Sequence, residues 1–388
     1  MDRRRFLTGT GATLAGALAG CQGSTTDAGS QSTSDATTND ATTTKTTEQA
    51  TTESETEAES YTVSMVPVGD VTFDSVPETW VANNGSWADM GVALGLEPPK
   101  GVWLTARYHT QYYDDIPGVS VDKSNMKSLW GDSGVGKEQF YALDADVHVV
   151  DPNFLLNRGQ WAQKDVDEIA TNVGPFFGNS SFSRSYPWHE DYRYYSLMEA
   201  FEKLSAVFQR TDRYEAIEQV HADFQAALAP VVPARSERPE VAVVWGSGSA
   251  PEQFYPYVID AGTSYKHLHD LKVRDALADS DVKNFHENRG AIDYETLLEI
   301  DPNVLLVRGQ ETKTVGEFQD SVVSFMEDHQ VASQLTAVQH GDVYRAGGLY
   351  QGPITNLVLT ERLARDLYGV EDDLFDRQRV ADIVHGEF

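Results

Sequence analysis

Along residues 192–232 the apolar positions recur every three or four residues, the longest helical period in the chain. Leu197, Phe201, Leu204 and Phe208 form one stripe, while Glu199, Glu202, Lys203 and Gln209 occupy the other faces. A second helix follows. Thr211 and Asp212 are N-cap types, Glu215 stands three after Asp212 as in a capping box, and Ile217, Val220, Phe224 and Leu228 continue the stripe until Pro230 and Pro233. Neither Gly nor Pro interrupts residues 192–229. About 18 residues at roughly 1.5 Å each span roughly 27 Å, enough to join two compact lobes. The pattern predicts a rigid connector over residues 191–233, against the plainer alternative of two amphipathic helices inside one core.

The flanks of this connector resemble each other. Before it runs Glu138-Gln-Phe-Tyr-Ala-Leu-Asp144-Ala-Asp146-Val-His-Val-Val150. After it runs Glu295-Thr-Leu-Leu-Glu-Ile-Asp301-Pro-Asn303-Val-Leu-Leu-Val307. In each, a Glu lies six residues before an Asp, a short helix meets a polar break, and an apolar strand follows. One helix-to-strand step per side predicts two α/β lobes, residues 61–190 and 234–388. Within the first, residues 61–66 and 79–82 read as strands. Asn83, Asn84 and Gly85 read as a turn, Ser86 as an N-cap, and Gly95 as the stop of a two-turn helix.

Residues 1–20 read as an export signal. Arg3-Arg4-Arg5-Phe6-Leu7 carries the twin-arginine pattern, and a short run rich in Gly and Ala ends at Leu18-Ala19-Gly20-Cys21, like a lipobox. Cys21 is the single cysteine, so no disulfide forms within the chain. Its lipidation predicts an anchor on the outer face of the cell membrane. Residues 21–60 are dominated by Thr, Ser, Ala and acidic residues, with one Lys and no large apolar side chain, which predicts a disordered tether. With 60 acidic against 30 basic residues the formal charge is -30. Such a surface repels nucleic acid and acidic headgroups. Acidity spread through the whole chain, with Lys scarce, resembles the proteins of salt-loving archaea.

The strand before Asn84-Gly85-Ser86-Trp87-Ala88-Asp89, the two Asp-to-Val steps and the connector helix stand in a fixed order. They are followed by Ala337-Val338-Gln339-His340-Gly341-Asp342-Val343-Tyr344 and by Glu361-Arg362-Leu363-Ala364-Arg365-Asp366-Leu367-Tyr368. Over residues 62–370 this arrangement resembles the substrate-binding proteins of ABC importers for ferric siderophores, haem and cobalamin. The resemblance implies an α/β fold of two Rossmann-like lobes joined by a single long backbone helix, with the ligand cleft between the lobes. It also implies a monomer without cofactor or catalysis that hands a metal chelate, most simply a ferric siderophore, to a permease dimer with its ATPase. Glu138 and Glu295, equivalent across the repeat, are the expected permease-docking pair; their place at helix N-termini suits a carboxylate even without a partner.

The cleft is expected to be lined by loops at strand ends. Residues 103–113 crowd Trp103, Arg107, Tyr108, His109, Tyr112 and Tyr113 after Pro98-Pro99. Trp130 precedes the first repeat and Tyr186-Pro187-Trp188-His189 precedes the connector; Trp245, Tyr255 and Tyr257 follow the first strand of the second lobe. Arg308 and Tyr350 sit at later strand ends, and Trp87 opens the first helix. Trp87, Trp103, Arg107, Tyr108, Tyr112, Trp188, Trp245, Tyr255, Tyr257, Arg308 and Tyr350 are therefore the ligand-binding candidates. Aromatic faces suit a large planar chelate, and Arg107, Arg158 and Arg308 balance negative charge.

A bare metal site is the alternative within the same fold, for Fe3+, Zn or Mn. His267 and His269 are the one close His pair, His148 lies inside an apolar strand as a core histidine would, and Tyr112, Tyr113, Tyr255 and Tyr257 could hold ferric iron. No metal-ligand set is predicted. An enzyme is disfavoured because Gly246-Ser247-Gly248-Ser249 is neither a nucleophile elbow nor a phosphate loop. Asn179-Ser180-Ser181 fits a glycosylation sequon.

Overall fold

The computed structural model describes residues 60–131, 134–184 and 186–388. The signal, Cys21 and the tether lie outside the described residues, so the structure bears on none of them. No described helix is long and apolar enough to cross a membrane.

Strands Trp80–Ala82 and Val147–Val149 pair in parallel, Trp80 beside Val147. Backbone bonds from Lys100 N–H to Trp80 and from Trp103 N–H to Asn83 add the strand Gly101–Val102, itself parallel to Lys127–Ser128. In the second lobe Val343–Arg345, Val304–Arg308 and Glu240–Trp245 are parallel neighbours, with Arg274–Asp275 parallel and Tyr255–Pro256 antiparallel beside Glu240–Trp245. Side chains alternate along a strand, and both faces are covered here. Val241 and Val243 enter a central core while Ala242 and Val244 enter a second core outside it. Val147 and Val149 join the same central core, and Val81 and Val150 face a third.

The repeat is physical. The helices Lys137–Leu143 and Tyr294–Ile300 both end on an aspartate in left-handed conformation, Asp144 at φ 45° and Asp301 at φ 47°. Two residues on, Asp146 accepts the Glu78 and Thr79 N–H groups at 3.0 and 2.7 Å, and Asn303 accepts the Glu240 N–H at 3.2 Å. Each side chain ties the strand that follows it to the start of its parallel neighbour.

The connector consists of helices Leu197–Val207 and Thr211–Leu228. The capping box belongs to the first: Ser196 caps the Glu199 N–H and Glu199 returns to the Ser196 N–H. Arg210, not Asp212, holds the N-cap of the second helix, with Asp212 in its first turn, where a carboxylate suits the helix dipole. Asn84 likewise caps helix Gly85–Ala93 through the Ser86 N–H at 2.9 Å, so Ser86 lies inside the helix. The connector is not alone between the sheets. Helix Pro353–Tyr368 packs on Gly85–Ala93 and Thr211–Leu228, and helix Arg377–His385 lies against the same two.

His221 is buried in this interior, bonded to the Pro353 carbonyl at 2.8 Å, and His148 is buried on the other face of the first sheet against Phe140 and Phe176. Burial pushes His148 down to about 4 and His221 down to about 3. An unfolded histidine protonates near pH 6.5, so acid favours the unfolded chain. The stability these groups contribute is present above about pH 6.5 and is lost as pH falls toward their folded values. Asp89, which burial raises to about 6, acts in the opposite sense: its contribution is present in acid and is lost as pH rises through about 6. Two histidines at ~2 kcal/mol each at pH 5 outweigh one aspartate at ~1 kcal/mol. Thermal melts should therefore show a lower Tm at pH 5 than at pH 7; an equal or higher Tm would refute this balance.

Candidate ligand-binding cleft

Between the lobes lies a cavity of about 260 Å³. Trp103, Leu104, Arg107, Trp130, Phe154, Arg158 and Tyr186 form its first-lobe wall; Tyr257, Phe285, His286 and Arg289 form the opposite one, with Leu349 and Tyr350 between. These positions follow strand ends, where the loops of parallel sheets converge. Trp103 follows Gly101–Val102, Tyr257 follows Tyr255–Pro256, and Arg158 ends helix Pro152–Arg158.

The walls are set by ring packing. Trp103 meets Trp130 at 5.2 Å and Phe154 at 4.7 Å between centroids, and Phe182 holds Tyr350 edge-on at 5.4 Å. Arg107 lies over the Trp245 ring at 4.8 Å. Arg289 lies over Phe285 at 4.5 Å. Arg107, Arg158 and Arg289 line this one cavity, and none forms an ion pair among the described residues. Beside them His286 is buried with both ring nitrogens unpartnered. Burial first, then Arg289, Arg308, Arg158 and Arg107, push it down to about 3, so the imidazole is neutral at physiological pH. The arrangement is a greasy slot with a row of uncompensated cations.

Of the sequence candidates, Trp103, Arg107, Tyr257 and Tyr350 line the cavity. Trp188 stacks on Tyr186 at 4.4 Å and Trp245 supports Arg107, so both stand one layer behind. Tyr255 is exposed and packs on Phe285 at 4.9 Å. Four candidates are elsewhere. Trp87 is wholly buried in a helix whose nine residues are all buried, and it serves the central core. Tyr108 hydrogen-bonds Tyr113 at 2.9 Å, and Tyr113 donates to Asp89 at 2.7 Å. That carboxylate accepts the Ile354 and Thr355 N–H groups at the start of helix Pro353–Tyr368, a latch between the lobes. A Cβ on Gly352 would collide with the same carboxylate, so glycine is needed there. Tyr112 lies under Arg362 at 5.6 Å, again between lobes. Arg308 is fully buried between the Tyr257 and Tyr265 rings, at 5.1 and 5.2 Å, and donates to the Ser264 carbonyl. It stands behind the cavity wall, not in it.

Sequence reasoning missed Leu104, Phe154, Phe285, His286 and Arg289. Phe285-His286-Glu287-Asn288-Arg289-Gly290, aromatic and basic on a short polar stretch, had the same signature as residues 103–113 and was the available signal. The sequon Asn179 is also corrected. It is fully buried, and its amide donates to the Val66 and Arg193 carbonyls, which leaves no room for a sugar in the folded chain.

Four larger concavities, of about 780, 500, 490 and 380 Å³, lie on other faces of the described residues. The first contains Asp223 and Arg379, already paired at 2.7 Å, and none of the four gathers several unpaired cations against aromatic walls. Among the described residues no group of three or more His, Cys, Asp or Glu could hold a metal ion. Glu138 and Glu295 are exposed, each the second residue of its seven-residue helix.

Residues 81–348 match the family model described as Periplasmic binding protein. The chain belongs to that family. Solved structures share its fold at low identity. The siderophore-binding protein BauB, bound to two acinetobactin molecules and ferric iron, is 17% identical with a TM-score of 0.55, over 81% of this chain and 100% of that one. PiuA, an iron-uptake ABC transporter substrate-binding protein from Streptococcus pneumoniae, is 17% identical with a TM-score of 0.53, over 79% and 98%. VctP, the periplasmic catecholate-siderophore binding protein of Vibrio cholerae, is 18% identical with a TM-score of 0.51, over 80% and 100%. No curated protein matches the sequence significantly. As a periplasmic binding protein the chain has two lobes of α/β build, and the family span contains the cavity walls from Trp103 to Arg289.

Proposed function

We propose that this protein is the substrate-binding component of an ABC importer, capturing an anionic ferric chelate between its lobes and delivering it to a permease dimer with its ATPase. One observation carries the reading. In a chain with 60 acidic and 30 basic residues, Arg107, Arg158 and Arg289 converge on one aromatic-walled cavity without an acidic partner among the described residues. Unpaired guanidinium groups at a half-desolvated site are costly unless an anion arrives. The acinetobactin–ferric iron complex named for BauB and the catecholate siderophore named for VctP accord with this. Direct ligation of Fe3+ is less well supported, because Tyr113 is engaged in the latch between lobes and Tyr112 lies under Arg362, outside the cavity lining.

Titration with a ferric tris-catecholate chelate, followed by tryptophan fluorescence, tests the reading. Trp103 and Trp130 line the cavity and Trp188 stands behind Tyr186, so quenching should saturate yet stay partial in a chain of seven Trp. Zinc and manganese salts should leave the signal unchanged. A saturable response to a metal salt alone, with none to ferric siderophores, haem or cobalamin, would transfer the assignment to direct metal binding.

The twin-arginine run and Leu18-Ala19-Gly20-Cys21 support export in folded form and a lipid anchor at Cys21. Cys21→Ser should appear in the medium or remain unprocessed in cell fractionation; an unlipidated, soluble wild-type chain would overturn the anchor.

A further inference from the structure

His286 is the one buried cavity residue whose two polar side-chain atoms both lack partners. Asn284 Oδ1 accepts the His286 backbone N–H, which fixes the turn without engaging the ring. The ring touches Tyr186 at 5.0 Å, Tyr257 at 5.4 Å and Phe285 at 5.9 Å between centroids. The charged groups facing it are all cations: Arg289 beside its own helix, Arg158 and Arg107 from the first lobe, and Arg308 from behind Tyr257. No carboxylate among the described residues pairs with it.

We propose that His286 is a specificity-determining residue of the cleft, taking up a proton as a multiply anionic chelate enters, so that the bound site presents one more positive charge than the empty one. This rests on the reading of the cleft as a chelate site. In the empty cavity burial, and after it the surrounding guanidinium groups, keep the ring neutral, as one donor and one acceptor. Its neighbours Arg107, Arg158 and Arg289 have only donors to offer. Burial persists when a trianionic chelate enters, but the chelate cancels the charge of the three arginines at the cavity and brings oxygen acceptors to a ring that, once protonated, has two donors. The ligand then raises the proton affinity of His286, and by linkage a proton raises the affinity for the ligand. A neutral chelate of similar size cancels nothing and leaves His286 unprotonated. The cleft thereby discriminates by ligand charge as well as by shape.

Calorimetric titration at pH 6.5, in two buffers of different ionisation enthalpy, counts protons taken up on binding. The probes are the gallium(III) complex of a hexadentate tris-catecholate, charge −3, and a neutral gallium(III) trihydroxamate. With the first, the wild type should take up about half a proton or more beyond His286→Gln; with the second the two proteins should not differ. Equal proton uptake by both proteins with the trianionic probe overturns the inference while leaving chelate binding intact. Binding of neither complex by the wild type overturns the functional reading itself. Should His286→Gln fold poorly, wild-type protein with 13C-labelled histidine supplies the second test. Of ten histidine signals, one should move to the imidazolium position on saturation with the trianionic complex at pH 6.5, and none doing so overturns the inference.

Discussion

Replacing Arg107, Arg158 and Arg289 together by Ala should lower the affinity for a trianionic ferric chelate by at least about a thousandfold, ~4 kcal/mol, while the Tm stays within a few degrees of wild type. The three guanidinium groups share one cavity and pair with no acid among the described residues, so an anion bound there loses three partners at once. Folding loses less. Arg158 and Arg289 make no ion pair, and removing neighbouring like charges relieves repulsion in the empty protein. Arg107 lies on Trp245 and Arg289 on Phe285, so the single replacement of either should also loosen its wall slightly. Dissociation constants from fluorescence titration, with melts of the same samples, decide the matter. An unchanged constant, or an equal loss for a neutral chelate, would show that the arginines do not read ligand charge.

Glu138→Ala combined with Glu295→Ala should reduce cellular uptake more than tenfold and leave the binding constant of the purified protein within about twofold. Both carboxylates are exposed and both occupy the second position of a helix that ends on a left-handed Asp. A permease with two-fold symmetry needs matched contacts from the two lobes, whereas stabilising a helix N-terminus requires no symmetry. Truncating one side of a desolvated interfacial ion pair costs roughly 2–5 kcal/mol, enough to abolish productive docking. The glutamates lie outside the cavity lining, which is why ligand affinity should survive. Normal uptake by the double variant, or a binding defect as large as the uptake defect, would remove the pair from the docking role.

Much of the fold was legible because it is written in local periodicity. The stripe Leu197, Phe201, Leu204 and the stripe Ile217, Val220, Phe224, Leu228 became the two connector helices, all seven side chains buried. The Asp144 and Asp301 steps became two equivalent helix-to-strand joints. Caps were read less well. Asp212 and Ser86 are good cap types, each two residues from the true caps Arg210 and Asn84, and composition cannot choose between nearby candidates when tertiary contacts set where a helix begins.

The candidate site shows where local reading stops. Trp103 and Trp87 are the same residue type after a strand, yet one faces the cavity and the other is sealed in a helix buried on every side. Arg308 and Arg289 are both basic residues on loops or strand ends. The first is fully buried behind Tyr257, and the second reaches the slot from a short helix no periodicity announces. Sequence alone determined the repeat, the two helices of residues 197–228, the acidic balance and the supply of aromatic and basic side chains, because those depend on neighbours a few residues apart. Only the tertiary structure decided which of those side chains meet. Arg107, Arg158 and Arg289 come together across 182 positions, and the Asp89 latch joins residues 265 apart, because opposed sheets share one core and bring their loop ends to a single seam.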